Sequence, residues 1–441
     1  MTNQIKIVVH AEWVVPVEPA GICLKNHCVV VNKDGRIEAL MASAEARLAY
    51  AQARHQDLPG HVLMPGLINL HSHAAMTVMR GLADDLPLMK WLNDRIWPAE
   101  LKHANAEMVY DGTLLACAEM LLGGVTGFND MYFFPDASVR AALASGMRLN
   151  AGMVVIDFAN SYASDAADCL HKGLATRDTY MGEALIDFSL APHAPYTVSD
   201  ASFKRIIMLA EQLDLPIHIH IHETRDEIDH SLAQFNLRPL ARLQNLGLLG
   251  PNLIAVHSVH LEQNEIDLLA KLGSHVAHCP ASNLKLASGI APIAQMLDAG
   301  INVGIGTDGA ASNNKLDMFG EMRLAALLAK GASGRAEVLP AHQALQMATL
   351  NAARAIGKQN DVGSLVAGKA ADMTAVDLSG LQTAPCYDVI SHLVYTASRE
   401  QVRYVWVNGE LRVANGRLTS LDQSELSVKA RYWQHKIQAN L

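Results

Sequence analysis

A TIM-type (β/α)8 barrel, flanked by a small β-sandwich domain built from both termini, is the α/β architecture that this sequence predicts. Three observations lead there. Between Val62 and Asp308, short apolar runs alternate with longer segments of helical period, and eight such runs can be counted. Strand-like runs with turn signals lie before and after this region, too few on either side for a sheet of their own. The apolar runs of the middle region lead into Gly, Asn, His or Asp, the residues that barrel strands deliver to a shared mouth.

Taken in order, residues 4–10, 22–31 and 35–40 read as flanking strands. The barrel strands follow as VLMPGLINL, GVTGFNDM, MRLNAGMVVI, ALIDFSLAPH, LPIHIHIHE, LIAVHSV, SHVAHC and INVGIGTD. Their near-continuous apolar character is that of parallel strands buried on both faces. The segments between them, such as Ala106 to Leu122, Ser199 to Leu213 and Glu262 to Leu272, carry apolar residues at helical period. Beyond the barrel, 371–377 and 402–414 read as strands, with Asn408-Gly409 as a hairpin turn between YVWV and ELRV. Helical segments at about 339–357 and 421–439 complete the chain. The domains expected are 1–60 for the N-terminal part of the small domain, 61–362 for the barrel, and 363–441 for its C-terminal part with a terminal helix.

Composition excludes several classes. Half of the 441 residues are hydrophobic and no stretch is of low complexity, so the chain can bury a large core. With a net charge of -9 and no sustained run of Lys or Arg, nucleic acid is not an expected partner. The six cysteines are scattered and never spaced CxxC, which suits a reducing compartment. The N-terminus lacks a basic region followed by a sustained apolar stretch, and no run reaches about 18 apolar residues. A cytoplasmic protein without a membrane span is expected.

The chemistry concentrates in six positions. His71 and His73, two residues apart at a strand end, place two imidazoles on one face, where they can share a metal ion. In PIHIHIHET, alternation puts His218, His220 and His222 on one face, so spacing alone does not select a ligand among them; Glu223 follows the strand end. His257 lies closer than His260 to the end of the run LIAV and is the better candidate for the barrel mouth. Asp308, after INVGIGT, sits where an N-cap would also be natural, but its place at the eighth strand end favours a metal role. His193 in LAPHAPY reads equally as a substrate contact or a turn residue. His278 and Cys279 read as packing groups without a second thiol nearby. Dinucleotide, phosphate-loop and nucleophile-elbow motifs are missing.

Taken together, PGLINLHSHAAM, HIHIHET, HSVHL, HCPASNLKLASGIAPI and GTDGAASNNKLDMFGEMR resemble the amidohydrolase superfamily, and within it the 5′-methylthioadenosine/S-adenosylhomocysteine deaminases. The resemblance spans nearly the whole chain and includes GSLVAGKAADM, similar to the family's return into its small β domain. It implies metal ligands at His71, His73, His220 and Asp308, and proton handling by Glu223 and His257. Purine and ribose contacts are implied at Trp91, His193 and Glu100, with Glu100 accepting from the ribose hydroxyls. One departure is visible: Met153 to Asp168 contains no Arg or Lys, whereas relatives that take S-adenosylhomocysteine carry arginines there for its carboxylate.

The expected activity is hydrolytic deamination at adenine C6 of 5′-methylthioadenosine, with S-adenosylhomocysteine or adenosine as lesser substrates. Glu223, His257 and Asp308 form the expected catalytic set, and Met153 is the expected apolar contact for the methylthio group. One divalent ion per chain, zinc, suits three imidazoles and a carboxylate. The resemblance also implies a homo-oligomer, dimer or tetramer. The competing readings are another amidohydrolase, such as a guanine deaminase or a triazine-type chlorohydrolase, and a barrel that has lost catalysis.

Overall fold

The computed structural model describes residues 5–439. Residue 4, where the sequence places the start of the first strand, and the last two residues of the C-terminal domain lie outside the described residues. The strands form two eight-stranded sheets. In one, Leu67–Ser72, Val125–Tyr132, Arg148–Val155, Ile186–Pro192, Ile217–Ile221, Leu253–His257, His275–His278 and Asn302–Ile305 pair in chain order. Every neighbouring pair is parallel, which requires a crossover between each strand and the next. Helices Ala106–Leu122, Asp200–Leu213 and Gln263–Leu272 supply crossovers where the helical period implied them. This is the (β/α)8 barrel.

The second sheet is mixed and draws on both termini. Met373–Asp377 pairs antiparallel with His55–Pro65, which in turn runs parallel to Ile5–Val14, joining C-terminal to N-terminal strands. Val9, Val29, Leu63, Met373 and Trp406 share one buried cluster on this sheet. Asn408 and Gly409 both have positive φ, 50° and 70°, as the two-residue turn between Val402–Val407 and Glu410–Ala414 requires. Among the described residues no helix is long and apolar enough to cross a membrane.

One sequence expectation needs correction. The run Val62 to Leu70, read above as a single barrel strand, is two strands: His55–Pro65 belongs to the mixed sheet and Leu67–Ser72 opens the barrel. Only Gly66 separates them, and a Cβ there would stand 2.2 Å from the Thr126 side chain. Both strands are buried, so no polar residue marks the passage between domains.

The barrel closes differently between its first and last strands. No ladder connects Leu67–Ser72 with Asn302–Ile305. The seam is held instead beyond the last strand's end: Asp308 N donates to His71 O at 2.9 Å, and Thr307 N donates to Asn69 Oδ1 at 2.9 Å. Asn69 Nδ2 returns a bond to Thr307 Oγ1 at 2.7 Å. Gly306 lies against this seam, where a Cβ would meet His71 N at 2.6 Å and His71 O at 2.9 Å. These are backbone atoms that cannot swing aside. Gly306→Ala is therefore expected to destabilise the chain by about 1–3 kcal/mol, the usual range for overpacking. Gly331→Ala, in helix Met318–Ser333 with nothing within 4 Å, should be neutral or slightly stabilising. Urea denaturation of both variants checks this; equal midpoints would remove the steric argument.

Candidate metal centre and active site

Alternation along the first barrel strand sends Leu70 outward into the cluster with Ala352 and Ala353, and His71 inward. His71 is fully buried, and its Nε2 lies 3.3 Å from Asp308 Oδ1 and 3.2 Å from His220 Nε2. His73, just past the strand end, brings its Nε2 to 3.2 Å from the same Asp308 oxygen. His220 comes from the fifth strand and Asp308 from the loop after the eighth. His71 thus lies at the junction of two sets of donors inside the barrel mouth, His73 and Asp308 on one side and His220 with His257 on the other.

The rings are oriented by their other nitrogens. His73 Nδ1 donates to Met131 O at 2.6 Å and His220 Nδ1 to His193 O at 2.7 Å. His71 Nδ1 faces His218 Nε2 at 2.9 Å. A nitrogen that donates to a carbonyl leaves the opposite ring nitrogen as a lone pair, so His73 and His220 turn lone pairs toward the centre. Those lone pairs stand about 3.2 Å from a carboxylate oxygen and from another imidazole nitrogen. Without an ion the His73 ring meets the Asp308 carboxylate as a charged pair; against the effect of burial, that contact raises the His73 pKa to about 9, and the place of the proton would be taken by a cation among the donors. The spacing fits one: donors 2.0–2.1 Å from a common tetrahedral centre are about 3.3 Å apart. Residue types and the three short separations suit a divalent metal ion.

Asp308 is fixed on both oxygens. Oδ1 accepts from Gly309 N at 2.7 Å, and Oδ2 accepts from Ser282 Oγ at 2.6 Å and Ser312 Oγ at 2.8 Å. Burial opposes the Asp308 charge, but contacts from His71 and His73 hold its carboxyl well below the usual range. Glu223 is driven the other way: burial raises its pKa, with His257 opposing. His257 Nε2 lies 3.6 Å from Glu223 Oε2, and its Nδ1 pairs with Asn283 Oδ1 at 2.8 Å. Ser288 Oγ donates to Glu223 Oε1 at 3.3 Å. His257 also stands near His71 and His220 in a second group of possible metal-binding atoms.

These residues floor a cleft of about 710 Å3, including its open mouth. Trp91, Glu100 and His193 line it, as expected from sequence. A π turn over Leu92–Ile96 interrupts the helical segment Leu88–His103, and Trp91, Ile96, Trp97 and Glu100 all reach the cleft from it. Such single π turns are frequent at functional sites. Burial pushes Glu100 up to about 7 and lowers His193 to about 3, so His193 is a neutral hydrogen-bonding group at any ordinary pH.

Two sequence expectations are corrected here. Met153 does not line the cleft; it packs against Gly173 of helix Ala166–Tyr180, and the next residue, Val154, faces the site with Ile156. Period-two alternation makes a one-residue error a change of face. His222 does not continue the face of His218 and His220, because the strand ends at Ile221 and His222 has φ 55°. Its ring turns outward, accepting from Leu240 N at 3.1 Å, and Glu223 takes the inward place. Ser282, Asn283 and Ser288 were not anticipated as partners; all three lie in HCPASNLKLASGIAPI, quoted above only as a motif.

A model of the amidohydrolase family matches residues 62–412. A 5-methylthioadenosine/S-adenosylhomocysteine deaminase of Saccharophagus degradans is 49% identical over 441 residues, covering 100% of this chain and 99% of that one. The chain belongs to the amidohydrolase family. A 5′-deoxyadenosine deaminase of Methanosarcina acetivorans is 40% identical over 427 residues, 96% of each chain. The crystal structure of an adenosine deaminase from Xanthomonas campestris with bound zinc superposes with a TM-score of 0.97 at 46% identity, covering 98% of this chain and 99% of that one. This amidohydrolase is metal-dependent, as its family is, and the donor set above is where the geometry fits an ion.

The expected consequence separates the three histidines of the fifth strand region. His220→Ala should lose bound divalent cation on dialysis, while His222→Gln, whose ring is turned outward, should retain it. Elemental analysis of both variants decides this; cation loss at His222→Gln would reverse the ligand assignment.

Proposed function

We propose that this amidohydrolase is a hydrolytic deaminase acting at adenine C6 of nucleosides that carry a small apolar 5′ substituent, 5′-methylthioadenosine foremost. The observation that carries the reading is the opposite tuning of two buried carboxyls on one cleft: Glu223 is held toward its protonated form and Asp308 toward its ionised form. A pair driven apart in this way suits an acid and a base sharing one site.

His71, His73, His220 and Asp308 would hold one zinc ion, which supplies acidification of water and electrostatic stabilisation of the charge developing on oxygen. Asp308 accepts a proton from the attacking water, and His257 orients that water toward C6. Glu223 delivers its proton to N1 as the carbon becomes tetrahedral. The Asp308 proton then passes to the departing amino group, and the hydroxyl proton at C6 returns to Glu223. Ammonia and the hypoxanthine nucleoside leave, with both carboxyls restored. Trp91 walls the base, His193 faces the purine and Glu100 accepts from the ribose hydroxyls. Those three contacts favour a nucleoside over a free guanine or a triazine, and the intact proton-handling set argues against a barrel that has lost catalysis.

The 5′ group points to a side extension of the cleft shared through Trp97, Glu100, Phe133 and Ile156 and continued by Phe158 and Ala159. Trp97 and Phe158 meet edge to face with centroids 6.1 Å apart. Aromatic edges suit a thioether sulfur, a contact of about 0.3–1.5 kcal/mol. No Lys or Arg lines the cleft or its extension among the described residues. A 5′-deoxy group, smaller still, fits the same surface.

Two outcomes test the reading. Glu223→Gln keeps shape but has no proton to give, so kcat should fall about 10²–10⁴-fold while bound cation and substrate affinity persist; a rise in KM alone would make Glu223 a binding residue. The homocysteine carboxylate of S-adenosylhomocysteine has no cationic partner in the cleft, and a missing charged hydrogen bond is worth about 1.5–3 kcal/mol. The kcat/KM for 5′-methylthioadenosine should therefore exceed that for S-adenosylhomocysteine by about one to two decades. Equal values under identical conditions would refute the argument from the uncharged extension.

A further inference from the structure

Glu223 stands in a turn that its own backbone does not favour. The residue before it, His222, has φ 55°, in the left-handed region that costs a residue with a Cβ about 1–3 kcal/mol unless its surroundings hold it there. The strand ends at Ile221, so the N–H groups of His222 and Glu223 have no ladder partner. Both turn instead to one buried side chain. Glu227 Oε1 accepts from His222 N at 2.9 Å, and Glu227 Oε2 accepts from Glu223 N at 2.9 Å.

Glu227 lies three residues after Thr224, the N-cap of helix Arg225–Phe235, whose hydroxyl accepts from Glu227 N at 3.3 Å. In a capping box the acid at this position returns to the N–H of the cap residue itself. Here it reaches one and two residues farther back, past the cap and onto the turn. The same turn is tied to the segment after the sixth strand. His222 O accepts from Val259 N and His260 N, both at 3.0 Å, and Ser258 N donates to Ile221 O at 3.1 Å. One short stretch of backbone therefore sets Glu223 relative to His257, whose Nε2 lies 3.6 Å from Glu223 Oε2.

We propose that Glu227 is a positioning residue for the deamination: its carboxyl group holds the strained His222–Glu223 turn and so fixes where the Glu223 carboxyl stands beside His257. The inference rests on Glu223 being the proton donor. It does not follow from helix capping, since Thr224 already caps the helix. A displacement of about 1 Å at a reacting group can cost about 10²-fold in rate, which sets the expected scale.

The test compares Glu227→Gln, Glu227→Leu, Thr224→Ala, Glu223→Gln and the double variant Glu223→Gln/Glu227→Gln, each with 5′-methylthioadenosine. Glutamine keeps one acceptor for two N–H groups and leucine keeps none. Turnover should therefore fall about 10-fold for Glu227→Gln and about 100-fold for Glu227→Leu, with KM and bound cation within about twofold. Thr224→Ala weakens the cap but leaves the turn held, so kcat should stay within about twofold at a lower melting temperature. The double variant should be no slower than Glu223→Gln alone, because groups that act through one another are not additive. Unchanged kcat in Glu227→Gln with an inactive Glu223→Gln would overturn this inference alone. Additive losses in the double variant, or an equal kcat loss in Thr224→Ala, would overturn it too. Full activity in Glu223→Gln would remove the proton-donor assignment itself. Should Glu227→Leu fail to fold, Glu227→Gln and the double variant still decide.

Discussion

Nitrogen and oxygen donors from the first, fifth and eighth strands and the segments after them converge on one volume, and much of the barrel's interior is arranged to aim them there. His73 and His220 are each aimed by a hydrogen bond to a carbonyl of another segment, and His71 by a second imidazole. The Asp308 carboxylate is brought among them by the bond from its own N–H to the His71 carbonyl, which is also the bond that closes the barrel. Seam and centre are thus one structure. A change that opens the first strand from the eighth separates His71 from Asp308, and a change that misaims either residue loosens the closure. A cation held by both residues would tie the first strand to the segment after the eighth.

Around that centre, burial does most of the chemical tuning. Desolvation alone would raise every carboxyl in the cleft. What distinguishes the two that matter is their neighbours: Asp308 faces His71 and His73, while Glu223 has one imidazole at 3.6 Å and a serine hydroxyl. Two carboxyls on one cleft are thus driven in opposite directions by placement. The segment Leu88–His103 roofs the site, and within and on either side of its π turn six side chains, Leu88, Trp91, Leu92, Ile96, Trp97 and Glu100, line the cleft.

Much of this could be read from the sequence, and the failures have physical causes. Eight buried parallel strands leave a strong periodic signal, and the motif-bearing strand ends place His73, His220, Glu223, His257 and Asp308 on one cleft with His71 buried beneath them. The passage from His55–Pro65 into Leu67–Ser72 left no signal, because both strands are buried and one glycine joins them. Met153 and Val154 are equally apolar, so only the strand's parity, invisible without the structure, told which faces the cleft. His222 broke an alternation that looked unbroken on paper because a left-handed residue costs only a few kcal/mol and is stabilised from outside the strand. The Ser282 and Asn283 contacts come from the short helix Pro280–Lys285 and that of Ser312 from a turn, and no local pattern tells which of their side chains face the site.

That last point bears on where strain resides in the barrel. His222, His257, Ser258 and Asp308 all have positive φ, between 50° and 68°, and all stand just at or past the ends of the fifth, sixth and eighth strands. A regular strand would carry each side chain past the centre or turn it to the outer face. A left-handed residue at the strand end redirects the chain within one step, at a cost that the surrounding bonds offset: Glu227 for His222, the Ser258 bond to the fifth strand, and the His71 carbonyl for Asp308. Glu227 and Ser258 take no part in the proposed reaction, yet the distances among the groups at the centre depend on the bonds they make.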